Sequence, residues 1–492
     1  MARSLVAFVL LLFAPFVNAQ ELDPVIKDPS RFDSKRPLVQ ELTTSVPDGF
    51  RLVGVGDCIV SRPLSQYANR EPAVAIALKK LKDADATYGN LETSILDIRT
   101  FKGFPYTGDD DVPLLALPRV ANDLAAMGFG LMSRANNHAL DWGLEGMRET
   151  THWADDAGLV TAGVGENQGA ARAARYFESS KGRVAIVSMA STYRAYSEAL
   201  PEQGAAPARP GLNGIAVKKT VIVRPEVLRD LVNLSAKLYS HPGASAGDVK
   251  KLTFLGTQFE AGAEPGIRYE MDPADLAGIL KSIRQGKQHA DFLIATIHSH
   301  EPATLSSPDA KNDFADTPAE FLHRLAKDAI DTGADVFFVT GIHHLGPIEI
   351  YKGRPIFYGL GNFFWSDIQE PMPADVYTQY RESLQRAFEK PERATDADFT
   401  NVLNAESFAG TLPFESVITE TRFDRGRLSE IRLYPVELGY GMKLTESGIP
   451  RVASAEAATR ILQRLQAMSA PLGTKMNLES SPEWHFVGVI RP

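Results

Sequence analysis

The stretch GFGLMSRANNHALDWG, residues 128–143, joins an apolar run to a dense group of polar side chains. Two amides, an imidazole and a carboxylate follow the run at Asn136, Asn137, His138 and Asp141. These residues could cap a helix that begins after them, or they could be ligands for a metal ion. The rest of the chain must decide between the two interpretations.

Short β-type runs and helical patterns alternate along most of the chain. FRLVGVGD (50–57) and ATYGNLE (86–92) predict strands, whereas PRVANDLAAMG (118–128) predicts a helix that ends at a glycine. The alternation includes two further strands, DFLIATIHSHE (291–301) and ADVFFVTGIHH (334–344). Strands that alternate with helices indicate βαβ units, so we expect an α/β fold with central β-sheet flanked by helices.

Polar side chains follow five of the predicted strands at the point where each strand ends. Because the carboxyl ends of parallel strands share one edge of a sheet, residues remote in sequence should converge there. Five of the ten histidines lie at these ends, which a random distribution would not favour. The strand-end residues are Asp57; Glu92; Asn137 with His138; His298 with His300 and Glu301; and His343 with His344.

This mixture of ligand types indicates a particular kind of metal site. Carboxylate, imidazole and amide oxygen together suit Mn, Fe or Zn as divalent ions. Two ions about 3.5–4 Å apart could share a bridging carboxylate and activate a water for attack at phosphorus. A nearby histidine that is not a ligand could protonate the leaving group. We therefore expect a divalent metal cofactor of one or two ions.

Composition excludes several other classes of protein. The chain has 492 residues with a formal net charge of −9, and no segment concentrates lysine and arginine, so we expect no nucleic-acid partner. Its single cysteine, Cys58, rules out both an intramolecular disulfide and a zinc site built from several thiolates. A hydrophobic fraction of 44% is enough to bury more than one core layer.

The N-terminal sequence MARSLVAFVLLLFAPFVNAQ has the pattern of a secretory signal. Arg3 precedes an apolar run from Leu5 to Val17, and small residues precede a cleavage point after Ala19. The run is shorter than the roughly 20 residues that a spanning helix needs. We expect residues 1–19 to be removed and the protein to be exported to the periplasm or the extracellular space. The alternative is an uncleaved N-terminal membrane anchor.

The remaining segments suggest one large domain with additions. Residues 20–48 are rich in proline, aspartate and serine and predict an extended N-terminal segment. We expect the main domain to span 49–440, interrupted by an insertion at about 195–275 where regular patterning is lost. Residues 441–492 predict a helix followed by a tail.

Six blocks of the chain, in order, resemble the poly-γ-glutamate capsule biosynthesis proteins of the CapA type. That family is part of the wider calcineurin-like metallophosphoesterase fold, so the resemblance implies a metallophosphatase-like layered α/β sandwich. The similarity runs from about residue 50 to 440. The blocks are GD (56–57), NLE (90–92), NNHALDWG (136–143), the histidine of HSHE (298–301), GADVFFVTGIHH (333–344) and IEIYKGRPIFYGLGNF (348–363).

The resemblance implies a set of metal ligands. Asp57 is similar to the acid on the first strand, and Glu92 to the acid that bridges two ions. Asn137 corresponds to the amide ligand, and His298 and His343 to the late histidine ligands.

The resemblance also implies the residues that would act on the substrate. His138 is similar to the imidazole that contacts the substrate oxyanion or leaving group, with Asp141 as the carboxylate that orients it. Further residues are expected to bind substrate or to surround the ligands. These are Asn136, His300, Glu301, His344 and Asn362.

This chain departs from the family pattern in one ligand block. Where CapA-like chains usually have Gly-His-x-Pro-His, Thr340 stands at the first histidine and His343 at the second. His300 and His344 are the candidates to replace the missing ligand, and both a one-ion and a two-ion site stay open.

Two functions follow from the residues and the resemblance together. The first is an exported metal-dependent hydrolase that uses an activated water on a phosphoester or on a bond of an anionic polymer. The second is a non-catalytic component that binds an anionic polymer during capsule synthesis or export. Either function could involve a membrane complex of capsule synthesis as partner.

Overall fold

The structure is a computed structural model, and the expected signal peptide (1–19) and nearly all of the extended segment (20–48) lie outside its described residues. In the described part of the chain, no helix is both long and apolar enough to cross a membrane. The described residues are 44–106, 112–239, 249–304, 317–366, 374–407 and 410–492.

Helices and strands alternate through most of the described chain. The α-helices are α1 (Pro72–Lys82), α2 (Arg119–Ala126), α3 (Gly143–Asp156), α4 (Gln168–Arg172), α5 (Pro225–Leu238), α6 (Pro273–Gln288), α7 (Glu320–Thr332), α8 (Ala374–Gln379), α9 (Arg381–Ala387), α10 (Asp396–Ser407) and α11 (Ala455–Ser469). Short 3-10 helices span Ser65–Asn69, Ala195–Ser197, Pro391–Arg393, Leu412–Phe414 and Ala470–Leu472.

The strands are numbered in chain order. The first twelve are β1 (Phe50–Val60), β2 (Ala86–Leu91), β3 (Ser94–Ile95), β4 (Leu115–Ala116), β5 (Leu131–Ser133), β6 (Val160–Ala162), β7 (Val164–Gly165), β8 (Arg175–Ser179), β9 (Gly182–Ala190), β10 (Gly211–Leu212), β11 (Val217–Val223) and β12 (Lys251–Phe254). The others are β13 (Thr257–Ala261), β14 (Gly266–Met271), β15 (Phe292–His298), β16 (Val336–Thr340), β17 (Ile348–Tyr351), β18 (Arg354–Phe357), β19 (Asn362–Ser366), β20 (Glu415–Asp424), β21 (Arg427–Glu437), β22 (Arg451–Val452), β23 (Asn477–Ser481) and β24 (His485–Ile490).

Two large sheets form the centre of the molecule. The first, of ten strands, has the order β23-β24-β21-β20-β1-β2-β5-β6, with β19 beside β1 and β22 beside β21. Within it, β1 pairs in parallel with β2 and β19, whereas β20, β21 and β24 are antiparallel. The second, of six strands, has the order β17-β18-β16-β15-β9-β8, and its central strands β9, β15, β16 and β18 are parallel.

The two sheets pack face to face through aromatic side chains. Tyr88 of the first sheet stacks on Phe338 of the second with ring centroids 4.7 Å apart, and Phe292 lies 5.1 Å from Phe50 and 4.8 Å from Phe423. All five rings are fully or almost fully buried. Aromatic rings bury the largest area per residue, so this layer dominates the core between the sheets.

Strand alternation explains how β1 is buried on both faces. Phe50 and Leu52 point toward the second sheet, whereas Val53 and Val55 point to the opposite side and pack under α1 and α2. The helices α6 and α7 lie against the second sheet. The expected α/β fold, with central sheets flanked by helices, is therefore confirmed.

The region of the expected insertion has regular structure of its own. β11, β12, β13 and β14 form a four-stranded sheet of order β12-β13-β11-β14, and α5 packs against β12 and β13. At the C-terminus, where the sequence indicated only a tail after the helix, β23 and β24 form a hairpin that joins the first sheet beside β21. The apolar run in HFVGVI (485–490) is too short to separate a strand from a tail.

A bulge in β1 sets the direction of Asp57. The pairing of β1 with β2 shifts register between Gly54 and Asp57, and the pairing with β19 shifts between Asp57 and Cys58. The Asp57 N–H donates to the carbonyl of Gly361 at 2.9 Å, and a Cβ on Gly56 would lie only 1.8 Å from that oxygen. Bulges re-aim side chains beside functional sites, and here the bulge needs glycine at 56.

We predict that Gly56→Ala lowers the free energy of unfolding by about 3 kcal/mol or more, because the added methyl must push the backbone of Gly361 away from β1. Urea unfolding measures the change. Gly266→Ala is the matched control, since a Cβ there meets nothing within 4 Å. Equal stability of the two variants would contradict the close approach of β1 and Gly361.

Candidate metal centre

The first wall of the candidate centre comes from the first sheet. Asp57 leaves the bulge of β1, and Glu92 follows the end of β2. Asn90 lies between them and donates to Asp57 Oδ1 at 2.8 Å and to Glu92 Oε2 at 3.3 Å. All three side chains are fully buried. Two buried carboxylates this close need compensating positive charge.

The second wall comes from the second sheet. His298 ends β15, and its Nε2 lies 3.6 Å from Glu92 Oε1 and 3.0 Å from Nε2 of His300. His343 follows β16, and its Nδ1 lies 3.4 Å from Asp57 Oδ2. The side chains at the expected edge thus come from both sheets, which bring their strand ends to the same place.

Three histidines and two carboxylates form two potential ligand groups. In each group, the donor atoms all lie within 4.8 Å of one another. One group contains Asp57, Glu92 and His298, and the other contains Glu92, His300 and His343. Glu92 belongs to both groups, as a carboxylate that bridges two ions would. These buried acidic and histidine groups could bind a metal ion, and their donors suit Mn, Fe or Zn.

His300 lies closer to the centre than the sequence predicted. It was expected either around the ligands or as one of two candidates for the missing ligand, and its imidazole is a member of the second ligand group. Thr340 occupies the place of the family's usual histidine, and its hydroxyl instead hydrogen-bonds His298 Nδ1 at 3.2 Å. His298 and Thr340 are direct neighbours in the register of β15 and β16. His300, rather than His344, is therefore the candidate replacement for the missing histidine.

Asn137 provides an independent test of whether the residues fit a metal ion. Its side chain is almost fully buried, and its Oδ1 has no hydrogen-bond partner within the described ranges. Buried amide oxygens in native proteins are nearly always paired. An unpartnered acceptor at the position expected for the amide ligand is consistent with an ion as its partner.

The loop at 134–143 does not use its carboxylate to cap a helix. α3 begins at Gly143, and no side chain caps its first turn. Asp141 Oδ2 instead hydrogen-bonds Nδ1 of His138 at 2.7 Å and accepts from the backbone N–H of Leu114 at 2.7 Å. The Nε2 of His138 then faces Glu92 Oε1 at 4.0 Å. The helix-cap interpretation of Asp141 is therefore wrong.

Asn136 and Asn362, both expected around the ligands, brace the loops that carry them. Asn136 donates to the Asn90 side chain at 3.2 Å and to the Leu91 carbonyl at 2.9 Å, and its own Oδ1 accepts from the backbone N–H of His138. Asn362 accepts from Nδ1 of His343 at 2.9 Å, which orients that imidazole. Both asparagines are fully buried.

Glu301 and His344 lie outside both ligand groups. Glu301 Oε2 accepts hydrogen bonds from the hydroxyls of Ser191 and Ser299, each at 2.6 Å. The His344 ring is buried, and its Nδ1 donates to the Leu345 carbonyl at 3.3 Å. In this structure both side chains stabilise loops.

The segment after β16 is held in an unusual backbone conformation. Gly341 has φ +105°, and a Cβ there would lie 2.8 Å from the carbonyl oxygen of Ser299 and 2.8 Å from the His300 ring. His343 itself has φ +55°, which non-glycine residues seldom adopt. Such strain costs about 1–3 kcal/mol and persists where surrounding contacts enforce it. Here the hydrogen bond that the Asn362 amide donates to the His343 carbonyl at 3.3 Å helps to enforce it.

The pKa shifts at this centre favour an ionised Asp57 and neutral His298 and His300, which are the forms that bind cations. Burial alone would raise the pKa of Asp57, but the hydrogen bond and charge of His343, with His298 and Asn90, hold that pKa below its ordinary value. Burial and the neighbouring His300 lower the pKa of His298 well below its usual range. Burial and His343 lower the pKa of His300 to about 3. Histidines must be neutral to bind a metal, and these pKa shifts favour the neutral form.

We predict that the metal-free protein loses stability as the pH falls below about 6.5, the ordinary histidine pKa. The pKa of His300 falls on folding, so between pH 6.5 and about 3 the unfolded chain binds more protons than the folded chain at this residue. Urea unfolding in EDTA at several pH values measures the effect. His300→Gln should flatten the dependence, and an unchanged slope in that variant would contradict the burial of a neutral imidazole.

Sequence reasoning missed two residues of this centre. Asn90 connects both carboxylates and also accepts from Ser133 at 2.8 Å. It stands in the NLE block, where its polar character inside a strand was the available signal. Arg194 lies 3.8 Å from Asp141 Oδ1, but it belongs to an irregular loop with no period or motif to indicate its position.

The fold and the strand-end residues define a class of protein, a layered α/β protein with a metallophosphoesterase-like fold. Within that class, the chain belongs to the family described as bacterial capsule synthesis protein PGA_cap, whose family model matches residues 51–366. This match confirms the resemblance to CapA-type proteins of capsule and polyglutamate biosynthesis.

Three relatives illustrate the range of similarity. The uncharacterized protein y4sH of Sinorhizobium fredii is 41% identical over 469 residues, which cover 93% of this chain and 96% of that protein. The PGA biosynthesis protein CapA of Bacillus subtilis is 23% identical over 312 residues, or 63% of this chain and 61% of that protein. A probable polyglutamine synthesis accessory protein of Mycobacterium tuberculosis is 28% identical over 240 residues, 49% of this chain and 46% of that protein.

Proposed function

We propose that this protein is an exported, metal-dependent hydrolase that acts on an anionic capsule polymer or a phosphoester linked to its synthesis. One observation carries the proposal. Two ligand groups that share Glu92 lie beside the paired His138 and Asp141. A purely structural metal site would not need a hydrogen-bonded histidine and carboxylate at its margin.

The two ligand groups contain the residues that would hold the metal ions. Asp57, Glu92 and His298 would hold one ion, and Glu92, His300 and His343 would hold a second. The unpartnered Oδ1 of Asn137 would complete the set. Divalent ions bound there would polarise a phosphoryl or carbonyl oxygen of the substrate and lower the pKa of a water.

His138 supplies the proton transfer in this proposal. Asp141 accepts from Nδ1, so the imidazole is held in one orientation with Nε2 toward the centre. A histidine held in this way can give a proton to a leaving oxygen or nitrogen. Burial raises the pKa of Asp141 above its ordinary value, although the neighbouring His138 partly offsets this increase. Because the 2.7 Å hydrogen bond holds the imidazole in place, loss of either residue should impair proton transfer.

Two further observations support a substrate class and a location. The names of relatives refer to PGA and capsule biosynthesis, so we infer an anionic polymer of that kind as substrate and a membrane complex of capsule synthesis as partner. The apolar N-terminal run supports export to the periplasm or the extracellular space.

Hydrolysis assays with the mature, metal-reconstituted protein test the proposal. Generic phosphomonoesters and phosphodiesters and a γ-glutamate polymer would each be incubated with added Mn²⁺, and with EDTA as control. We expect turnover of at least one substrate and loss of that turnover in EDTA. If the protein binds metal but hydrolyses none of these substrates, the assignment as a hydrolase is wrong. A polymer-binding component would then be favoured.

A further inference from the structure

Two exposed tyrosines stand beside the catalytic loop. The side chains of Tyr106 and Tyr196 are 52% and 41% exposed, and their ring centroids lie 5.4 Å apart. We call these two residues the tyrosine pair. Large aromatic side chains are seldom left in water without a partner, and a pair in contact offers a continuous apolar face with two polar tips.

The tyrosine pair is tied to the loop that carries His138. The backbone N–H of Tyr106 donates to the carbonyl of Asp141 at 2.6 Å. One edge of its ring covers Gly143, where a Cβ would come within 2.5 Å of Tyr106 Cε2. Asp141 therefore links the tyrosine pair to the proposed proton-transfer group, because its side chain also hydrogen-bonds His138.

Arg194 joins the two tyrosines and adds positive charge. Its Nη1 donates to the carbonyl of Tyr106 at 2.6 Å and to the hydroxyl of Tyr196 at 3.1 Å. The same nitrogen lies 3.8 Å from Asp141 Oδ1. The guanidinium thus fixes the tyrosine pair against the catalytic loop and places a cation at the margin of an otherwise acidic centre.

We propose that the tyrosine pair and Arg194 form a subsite for the part of a chain-like, carboxylate-bearing substrate that extends beyond the reacting bond. This inference rests on the proposed function, because it takes the metal centre as the place of reaction. The tyrosine rings suit the methylene groups of such a chain, and the hydroxyls and Arg194 suit its carboxylates.

Binding measurements test the subsite without requiring turnover. Fluorescence anisotropy would compare a labelled γ-glutamate oligomer with the labelled γ-glutamyl dipeptide on the Mn²⁺-loaded protein. We expect the double variant Tyr106→Ala/Tyr196→Ala to weaken oligomer binding roughly tenfold and to leave dipeptide binding unchanged. Tyr106→Phe/Tyr196→Phe should retain most of the binding, because the rings stay in place.

The controls separate this inference from the proposed function. Tyr239→Ala removes a tyrosine that is 50% exposed and packs on Phe254 near the small four-stranded sheet, and it should not alter oligomer binding. Failure of the hydrolase would appear as absent turnover in the wild type. The subsite is overturned if the double alanine variant binds the oligomer as tightly as wild type, or if oligomer and dipeptide lose affinity equally.

Discussion

The variant His138→Ala is expected to keep its bound metal and to lose about 10²–10⁴-fold in turnover under saturating substrate. The imidazole lies 4.0 Å from Glu92 through Nε2, but it is absent from both ligand groups. Its removal should therefore take away proton transfer and leave the metal in place. Metal content by mass spectrometry and the hydrolysis rate of the same preparation measure the two properties together.

A matched histidine on α3 controls for this substitution. His152 is more than half exposed and lies 3.6 Å from Asp156 at the surface, so His152→Ala should change neither metal content nor rate. Loss of metal from His138→Ala would make His138 a ligand rather than a proton donor. An unaltered rate would remove His138 from the reaction altogether.

The variant Glu92→Gln is expected to lose the stabilisation that Mn²⁺ gives to the wild-type protein. Glu92 is the only residue common to both ligand groups, so its loss weakens both at once. In the wild type, free ion at a hundred times its Kd should add about 2.7 kcal/mol to the free energy of unfolding. The melting temperature of the wild type should therefore rise with Mn²⁺, and that of Glu92→Gln should hardly change.

Glu349→Gln is the control for removal of a buried carboxylate. Glu349 accepts from the Tyr358 hydroxyl at 2.8 Å and pairs with Lys327 at 2.9 Å, away from the ligand groups. This variant should be less stable than wild type but should respond fully to Mn²⁺. A normal Mn²⁺ response in Glu92→Gln would contradict the shared-ligand arrangement.

The fold was predictable because its strands follow simple physical patterns. β1 and β15 are largely apolar on both faces, as buried parallel strands must be. β15 ends at His298, whereas Asp57 lies at the bulge inside β1, which continues to Val60. The resemblance implied a layered sandwich, but the strand patterns alone did not reveal which strand ends belong to which of the two packed sheets. The contact between Tyr88 and Phe338 that joins those sheets depends on residues far apart in the chain, which local patterns do not report.

The candidate site was predictable to the extent that its residues stand at strand ends. Asp57, Glu92, His298 and His343 were found by position, and the structure brings all four together. The inclusion of His300 depends on the turn after β15, because its ring meets His298 at 3.0 Å only through that turn. Periodicity carries no information about such a turn.

The residues that connect the site were the hardest to predict. The sequence pattern places Asn90 inside a strand and indicates no further role. In the structure, its side-chain nitrogen lies in one hydrogen-bond network with Asp57, Glu92 and His298. Arg194 lies in a loop whose position is set by tertiary contacts with Tyr106. Interactions between distant loops leave no periodic signal in the chain.

The metal content of the mature wild-type protein, after reconstitution with Mn²⁺ and removal of free ion, shows whether the strand-end residues bind a divalent metal. Inductively coupled plasma mass spectrometry on the protein and on Asp57→Asn gives the number of ions per chain. The arrangement of Asp57, Glu92, His298, His300 and His343 predicts about one to two ions in the wild type and a clear loss in the variant. A wild-type protein that retains no divalent metal would contradict the assignment of these residues as a metal centre.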